Sequence, residues 1–269
     1  MKTILIIVLL VFCLISFDVL TNKEPSNDRE WVPEQAILAS ATLEDDIITI
    51  HDIRNFSYRS ETGHTAGYYN KTIKKEDIIS VEYLVVPFTK DSGMAHTFLT
   101  FGFADGTYLA VSVEVRKEKG ETYSPWRGLL NSYELIYVIA DERDVIGLRT
   151  NIRKDSVYLY PIKAEREKII ELFVSILERA NKLKENPEFY NTLTNNCTTN
   201  IVRHVNTLSD DRIPWGIKIL LPGYSDKLAY DLKLIDTDLS FEEARKRFYI
   251  TKKARQYAND PLFSKRIRE

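Results

Sequence analysis

The hydrophobic period of this chain changes once, and that change limits the folds open to it. Up to residue 160 the apolar residues come in short runs rich in β-branched and aromatic side chains, at 47–53, 78–87, 96–103, 108–116, 135–140 and 156–160. Such runs read as strands. Between 164 and 184 the spacing becomes helical, with Ile169, Leu172, Phe173, Ile176, Leu177, Ala180 and Leu183 on one face. Asn186-Pro187 ends that helix. A second helix is expected from Asn196 through Ile201, Val202 and Val205. A third is expected over 241–257, opened by a Ser240/Glu243 capping box. Strands first and helices after predict an α+β domain, an antiparallel sheet with packed helices.

The ends of the chain bound its location. Lys2 precedes the apolar run 4–17, which stops at Asp18, so residues 1–20 read as a signal peptide or membrane anchor. No small-residue cleavage site follows, which favours an uncleaved anchor with Lys2 on the inner side. Residues 21–33 are polar, contain Pro25 and Pro33, and read as a linker to a domain spanning 34–269. The body is thus expected outside the cytoplasm, anchored to the membrane or secreted. With Cys13 in the leader, Cys197 has no partner for an intramolecular disulfide in the exported body. A net charge of −2 and the lack of a basic stripe interleaved with aromatics argue against nucleic acid as a partner. No His, Cys and carboxylate set has structural zinc spacing, so neither a metal nor another cofactor is expected.

Cys197 lies in Asn195-Asn196-Cys197-Thr198-Thr199-Asn200, where a helix should begin. A lone cysteine is ordinarily core filler, but these amide and hydroxyl neighbours are not a core environment. The first turn of a helix exposes unpaired N–H groups and the positive end of the dipole. Both favour thiolate over thiol and make a cysteine a better nucleophile.

A thiol nucleophile needs a base. His51 lies in the early strands, His64 in a glycine-flanked loop, and His204 two helical turns beyond Cys197, too far for direct proton transfer. His96 opens an apolar strand, where its bland role would be a core imidazole bonded to a carbonyl. Ala104-Asp105-Gly106 suits a three-residue hairpin loop with Gly106 at the left-handed position of a bulge. That register opposes His96 to Glu114; a two-residue Asp-Gly turn would oppose it to Val115. The bulged register is preferred because it sets beside the imidazole a carboxylate able to fix its tautomer. Otherwise Glu114 is a surface carboxylate paired with Arg116. The Cys197 amide, with Asn196 or Thr198, could stabilise an oxyanion. Arg116 and Tyr123, in a cluster at a hairpin end, are candidates for a substrate headgroup. Asp141-Glu142-Arg143-Asp144 reads as a turn or charged face before it reads as a ligand site.

The blocks His96-Thr97-Phe98-Leu99-Thr100-Phe101-Gly102-Phe103, Ser112-Val113-Glu114-Val115-Arg116, Glu142-Arg143-Asp144 and Phe189 to Asn200 resemble the DUF4105 family, the N-terminal periplasmic domain of the bacterial lipoprotein N-acyltransferase Lnb. His before Cys is also similar to circularly permuted papain-like enzymes of the NlpC/P60 group. The resemblance implies that Cys197 takes an acyl chain from a phospholipid, with His96 acting first as base and then as acid. The chain would pass to the amine of a lipoprotein. Lnb proteins carry transmembrane helices after this domain, whereas this sequence ends at Glu269. Lipid access is therefore expected through an amphipathic rim or a membrane-embedded partner. The alternatives are a papain-like hydrolase of peptide, amide or lipid ester, and a non-catalytic envelope-binding domain.

Overall fold

The strand-forming runs pair into one nine-stranded sheet in a computed structural model that describes residues 24–89 and 93–269. The segment 1–20, read as a signal or anchor, lies outside the described residues. The strands are β1 (Ser40–Glu44), β2 (Ile47–Arg54), β3 (Ser57–Tyr58), β4 (His64–Thr65), β5 (Tyr68–Lys74), β6 (Ile78–Pro87), β7 (Ala95–Phe103), β8 (Tyr108–Arg116), β9 (Tyr133–Asp141), β10 (Tyr158–Pro161) and β11 (Phe189–Tyr190). Their order is β1-β2-β9-β8-β7-β6-β10, with β5 beside β2 and β11 beside β9, while β3 and β4 form a separate small ladder. The α+β class follows, but the sheet is mixed. Arg54 of β2 pairs with Ala140 of β9 in parallel, which corrects the purely antiparallel expectation.

The β7–β8 turn takes the bulged form. Gly106 sits at φ +80°, its N–H donates to Phe103 O at 2.9 Å, and the Phe103 N–H donates to Thr107 O at 3.0 Å. The ladder runs from Gly102↔Tyr108 to Leu99↔Val111. That pairing stops at Leu99↔Val111; continued without a shift, the register would oppose His96 to Glu114.

Helices cover both faces. They are α1 (Pro125–Leu129), α2 (Glu142–Gly147), α3 (Arg166–Glu185), α4 (Cys197–Leu208), α5 (Ile217–Leu220), α6 (Ser225–Asp231), α7 (Phe241–Arg247), α8 (Thr251–Gln256) and α9 (Phe263–Arg266). All seven apolar residues that define the stripe of α3 are buried. They join Leu99, Phe101, Val111 and Val113 in the larger core cluster, which also holds Cys197. On the other face Phe98, Ala110, Ile136 and Val138 pack with Val145 and Ile146 of α2, Ala254 of α8 and Phe263 of α9. None of the helices among the described residues is long and apolar enough to cross a membrane.

Three local expectations change. β1 and β5 were not anticipated, because edge strands such as Tyr68–Lys74 carry polar, exposed residues that weaken the apolar signal. His64 lies in β4 rather than in a loop. The single helix over 241–257 is two, because Phe248 O and the Ile250 N–H leave the helix to bond Leu159 and Val157. The polar stretch read as a linker is tied down from residue 26 onward. The Asn27 amide donates to Leu183 O and Lys184 O, and buried Trp31 lies under Arg116 at 4.1 Å.

Phe173 is fully buried against Phe101 and Phe103, with ring centroids at 4.7 and 5.7 Å. Phe173→Ala should cost about 3–5 kcal/mol in urea unfolding. A loss under about 1 kcal/mol would mean that α3 contributes little to the core.

Candidate functional site

The first turn of α4 is built by amides. Asn196 Oδ1 accepts the Thr199 N–H at 2.9 Å while Thr199 Oγ1 accepts the Asn196 N–H at 2.8 Å, a reciprocal cap. Asn196 Nδ2 donates to Thr192 O at 2.6 Å, so the whole Asn196 side chain is committed to shaping the turn. Asn200 Nδ2 ties back to Asn196 O and Asn195 Oδ1. This cap satisfies the amides at 196 and 199. It leaves those of Cys197 and Thr198 with no protein acceptor among the described residues, two donors at the positive end of a twelve-residue helix. Cys197 is a free, buried thiol with its sulfur 3.8 Å from Thr198 Oγ1.

His96, Ser112 and Glu114 form a chain across β7 and β8. His96 Nε2 lies 2.7 Å from Ser112 Oγ, and the Ser112 hydroxyl donates to Glu114 Oε1 at 2.8 Å. With its own proton given to Glu114, Ser112 accepts from Nε2, which fixes the tautomer with Nδ1 unprotonated. Glu114 Oε1 is 3.8 Å from Nε2, so the carboxylate acts on the ring chiefly through the serine. Nδ1 makes no hydrogen bond among the described residues. Arg149 donates to Glu114 Oε1 at 3.2 Å, and its guanidinium lies over Phe98 at 5.5 Å.

These neighbours set the protonation states. Burial, then Arg149 and Arg153, lower the His96 pKa to about 3 against the opposing pull of Glu114, so the imidazole is neutral at pH 7. Burial alone would raise Glu114; Arg149 foremost, then His96, Arg54 and the Ser112 hydrogen bond, hold it at about 2. The resting site is a neutral imidazole leaning on an ionised carboxylate.

The thiol and the imidazole are not in direct contact. Successive strand residues face opposite sides. Thr97 turns toward α4, with its Oγ1 2.9 Å from Thr198 Oγ1, whereas His96 turns to the other face and stacks on Phe98 at 5.8 Å. Cys197 and His96 are thus each one residue from the Thr97–Thr198 contact, at the end of the sheet where β7 begins. Arg149 belongs to the histidine half, through its pairing with Glu114 at 3.2 Å.

The remaining candidates separate from this centre. Arg116 is buried and each of its three guanidinium nitrogens donates inward, to Gln35 O at 3.0 Å, Asn27 Oδ1 at 2.7 Å and Ala36 O at 2.9 Å. It pins the N-terminal segment, and Glu114 pairs with Arg149 in its place. Tyr123 packs on Tyr133 and Tyr190. Glu142 and Asp144 are buried ion-pair partners of Arg268 and Arg54, not a charged face. His204 is held at both ring nitrogens, by Ser175 Oγ at 2.8 Å and Tyr137 OH at 3.0 Å. His51 bonds Thr42 at 2.9 Å, and His64 faces Glu34 at 3.3 Å. Among the described residues no cluster of three or more His, Cys, Asp or Glu could hold a metal ion.

Ser112 and Arg149 were missed by sequence reasoning. Ser112 could have been found, since it stands two residues before Glu114 and so on the same face of β8. Arg149 gives no such signal, because only the tertiary fold brings its turn to the sheet.

A family model described as the Lnb N-terminal periplasmic domain matches residues 64–223. That span contains Cys197, His96, Ser112, Glu114 and Arg149. No curated protein and no solved structure matched the chain.

The protonation states make stability fall in acid. A folded His96 that resists protonation until about pH 3 destabilises the fold as pH drops below about 6.5, where the unfolded chain takes up the proton. His204, lowered to about 4 by burial, Arg179 and Arg203, adds a second loss of the same sign. Glu114 contributes stability above about 4.5 that is lost as pH falls toward 2. Urea midpoints should therefore begin to drop near pH 6.5, and His96→Gln should flatten the slope between 6.5 and 4.5. An unchanged slope in that variant would show that His96 takes up its proton over the same pH range in the folded as in the unfolded chain.

Proposed function

We propose that this protein, which belongs to the Lnb N-terminal periplasmic domain family, is an extracytoplasmic acyltransferase whose nucleophile is Cys197. The observation that carries the reading is the Thr97–Thr198 contact at 2.9 Å. It ties a capped helix start bearing a free thiol to the strand bearing a polarised histidine.

Cys197 Sγ attacks the carbonyl of a phospholipid ester as His96 Nδ1 takes the thiol proton. The unpartnered amides of Cys197 and Thr198 supply two donors for the oxyanion. Collapse expels the lipid alcohol, which receives that proton from His96, and leaves a thioester on Sγ. An amine, as on the N-terminus of a lipoprotein, then attacks the thioester; His96 takes its proton and returns it to the departing thiolate. Glu114, through Ser112, favours the transient imidazolium. In the resting structure His96 and the helix bearing Cys197 lie on opposite faces of the sheet, so this step requires the end of β7 to rearrange on substrate binding and bring Nδ1 to Sγ.

Membrane-extracted wild-type protein should carry a fatty-acyl mass labile to hydroxylamine, and folded Cys197→Ala should carry none. A modification that persists in the variant would remove Cys197 from the mechanism. An acyl mass discharged by water as fast as by amines would favour a hydrolase.

Glu114→Gln should slow acylation on the order of 10²-fold while the protein stays folded. Wild-type rates in that variant would remove the carboxylate from the mechanism.

A further inference from the structure

The helix-covered face holds a cavity of about 620 Å³ between β6, β7, α3, α4 and α6. That is within the usual range for small-molecule sites, about 300–1,000 Å³. Leu99, Ile169, Val205, Leu208, Leu228 and Leu232 contribute its apolar wall. The polar lining divides into two kinds. Lys163, Lys168, Asp210 and Asp211 are exposed and mark a solvent-facing rim. The buried polar groups are all hydroxyls, on Thr198, Tyr83 and Ser225. Tyr83 OH donates to Ser225 Oγ at 2.7 Å, and Thr198 Oγ1 is the group 3.8 Å from Cys197 Sγ. Thr198 is thus common to the cavity and to the thiol.

We propose that this cavity is an acyl-chain site, taking the hydrocarbon tail of an acyl group whose carbonyl end lies against Thr198 beside Cys197. The lining supports that occupant. No charged or amide side chain lines the buried part, so a ligand with several polar groups would leave them unpaired there. A chain with one polar end matches a single hydroxyl-bearing pole in an apolar wall. An open charged rim lets a longer tail emerge into solvent. For its chemistry this inference rests on Cys197 as the acyl-accepting group, but binding itself does not require turnover.

The test uses Cys197→Ala protein, which binds without reacting, titrated calorimetrically with octanoate, decanoate, laurate and palmitate below their micellar concentrations. Affinity should rise by up to about fourfold per added methylene until the cavity is filled. Val205→Trp, which fills the cavity from α4, should weaken laurate binding at least about tenfold at unchanged melting temperature; Leu228→Trp from the opposite wall is the second variant should the first not fold. No binding of any chain, affinity independent of length, or folded Trp variants that bind like the parent would each overturn the proposal. Length-dependent binding blocked by Trp, with no thioester on the wild type, would sustain the cavity and sink the acyltransferase reading. A wild-type thioester whose chain-length profile is unmoved by the Trp variants would do the reverse.

Discussion

Gly106, at φ +80°, closes the β7–β8 hairpin with three residues instead of two, and the site depends on that choice. Because side chains alternate along a strand, a slip of one residue would turn one whole strand over. In the observed register His96, Ser112 and Glu114 share one face of the sheet. On the other face Thr97 meets Thr198 while Leu99 lines the cavity under α4. One turn residue therefore sets the proton-handling group, the helix contact and part of the apolar wall together. At this position a residue with a side chain would meet no neighbouring atom; it would be strained by the backbone angle alone.

The face that carries His96 is unusually rich in buried charge. Arg54 grips Asp144 with two hydrogen bonds of 3.0 and 2.8 Å, and Arg268 bridges Glu82 and Glu142. Arg149 pairs with Glu114. Such pairs add little net stability, because desolvation offsets most of their attraction. Their effect here is positional: each guanidinium fixes a carboxylate that a water-filled site would leave free to rotate. Arg149 has a further effect, since its charge opposes protonation of His96 while its hydrogen bond holds the carboxylate that favours it.

Much of this was legible in the chain, where the signal was periodic or local. The α3 stripe, the strands at 78–87 and 108–116 and the start of α4 follow from spacing and capping chemistry, whereas turn residues left two registers for the β7–β8 hairpin and only the expected site chose between them. Burial of charge was not legible. Glu142, Asp144 and Arg116 look like surface residues until the fold supplies their partners, and no local rule anticipates Arg268 reaching β6 from the far end of the sequence. The helix break at 248–250 was hidden for the same reason, because a strand edge outcompetes a local helical preference. Alternation along β7 did carry a warning about the site. Thr97 and His96 must face opposite ways, so a helix that meets Thr97 cannot also rest against His96.

That alternation shapes how a thiol and an imidazole could cooperate here. A neutral His96 on the opposite face forms no resting ion pair with Cys197. In the proposed reaction, transfer of the thiol proton would then be coupled to substrate entry, when the Cys197 and Thr198 amides would meet the oxyanion and Glu114, through Ser112, the imidazolium. The resting structure thus holds thiol and imidazole apart. It also makes Thr198 the pivot, since the residue that contacts the histidine strand is the one that borders the apolar cavity. In the proposed reaction, a ligand that displaced Thr198 from Thr97 would act directly on the strand end that bears His96.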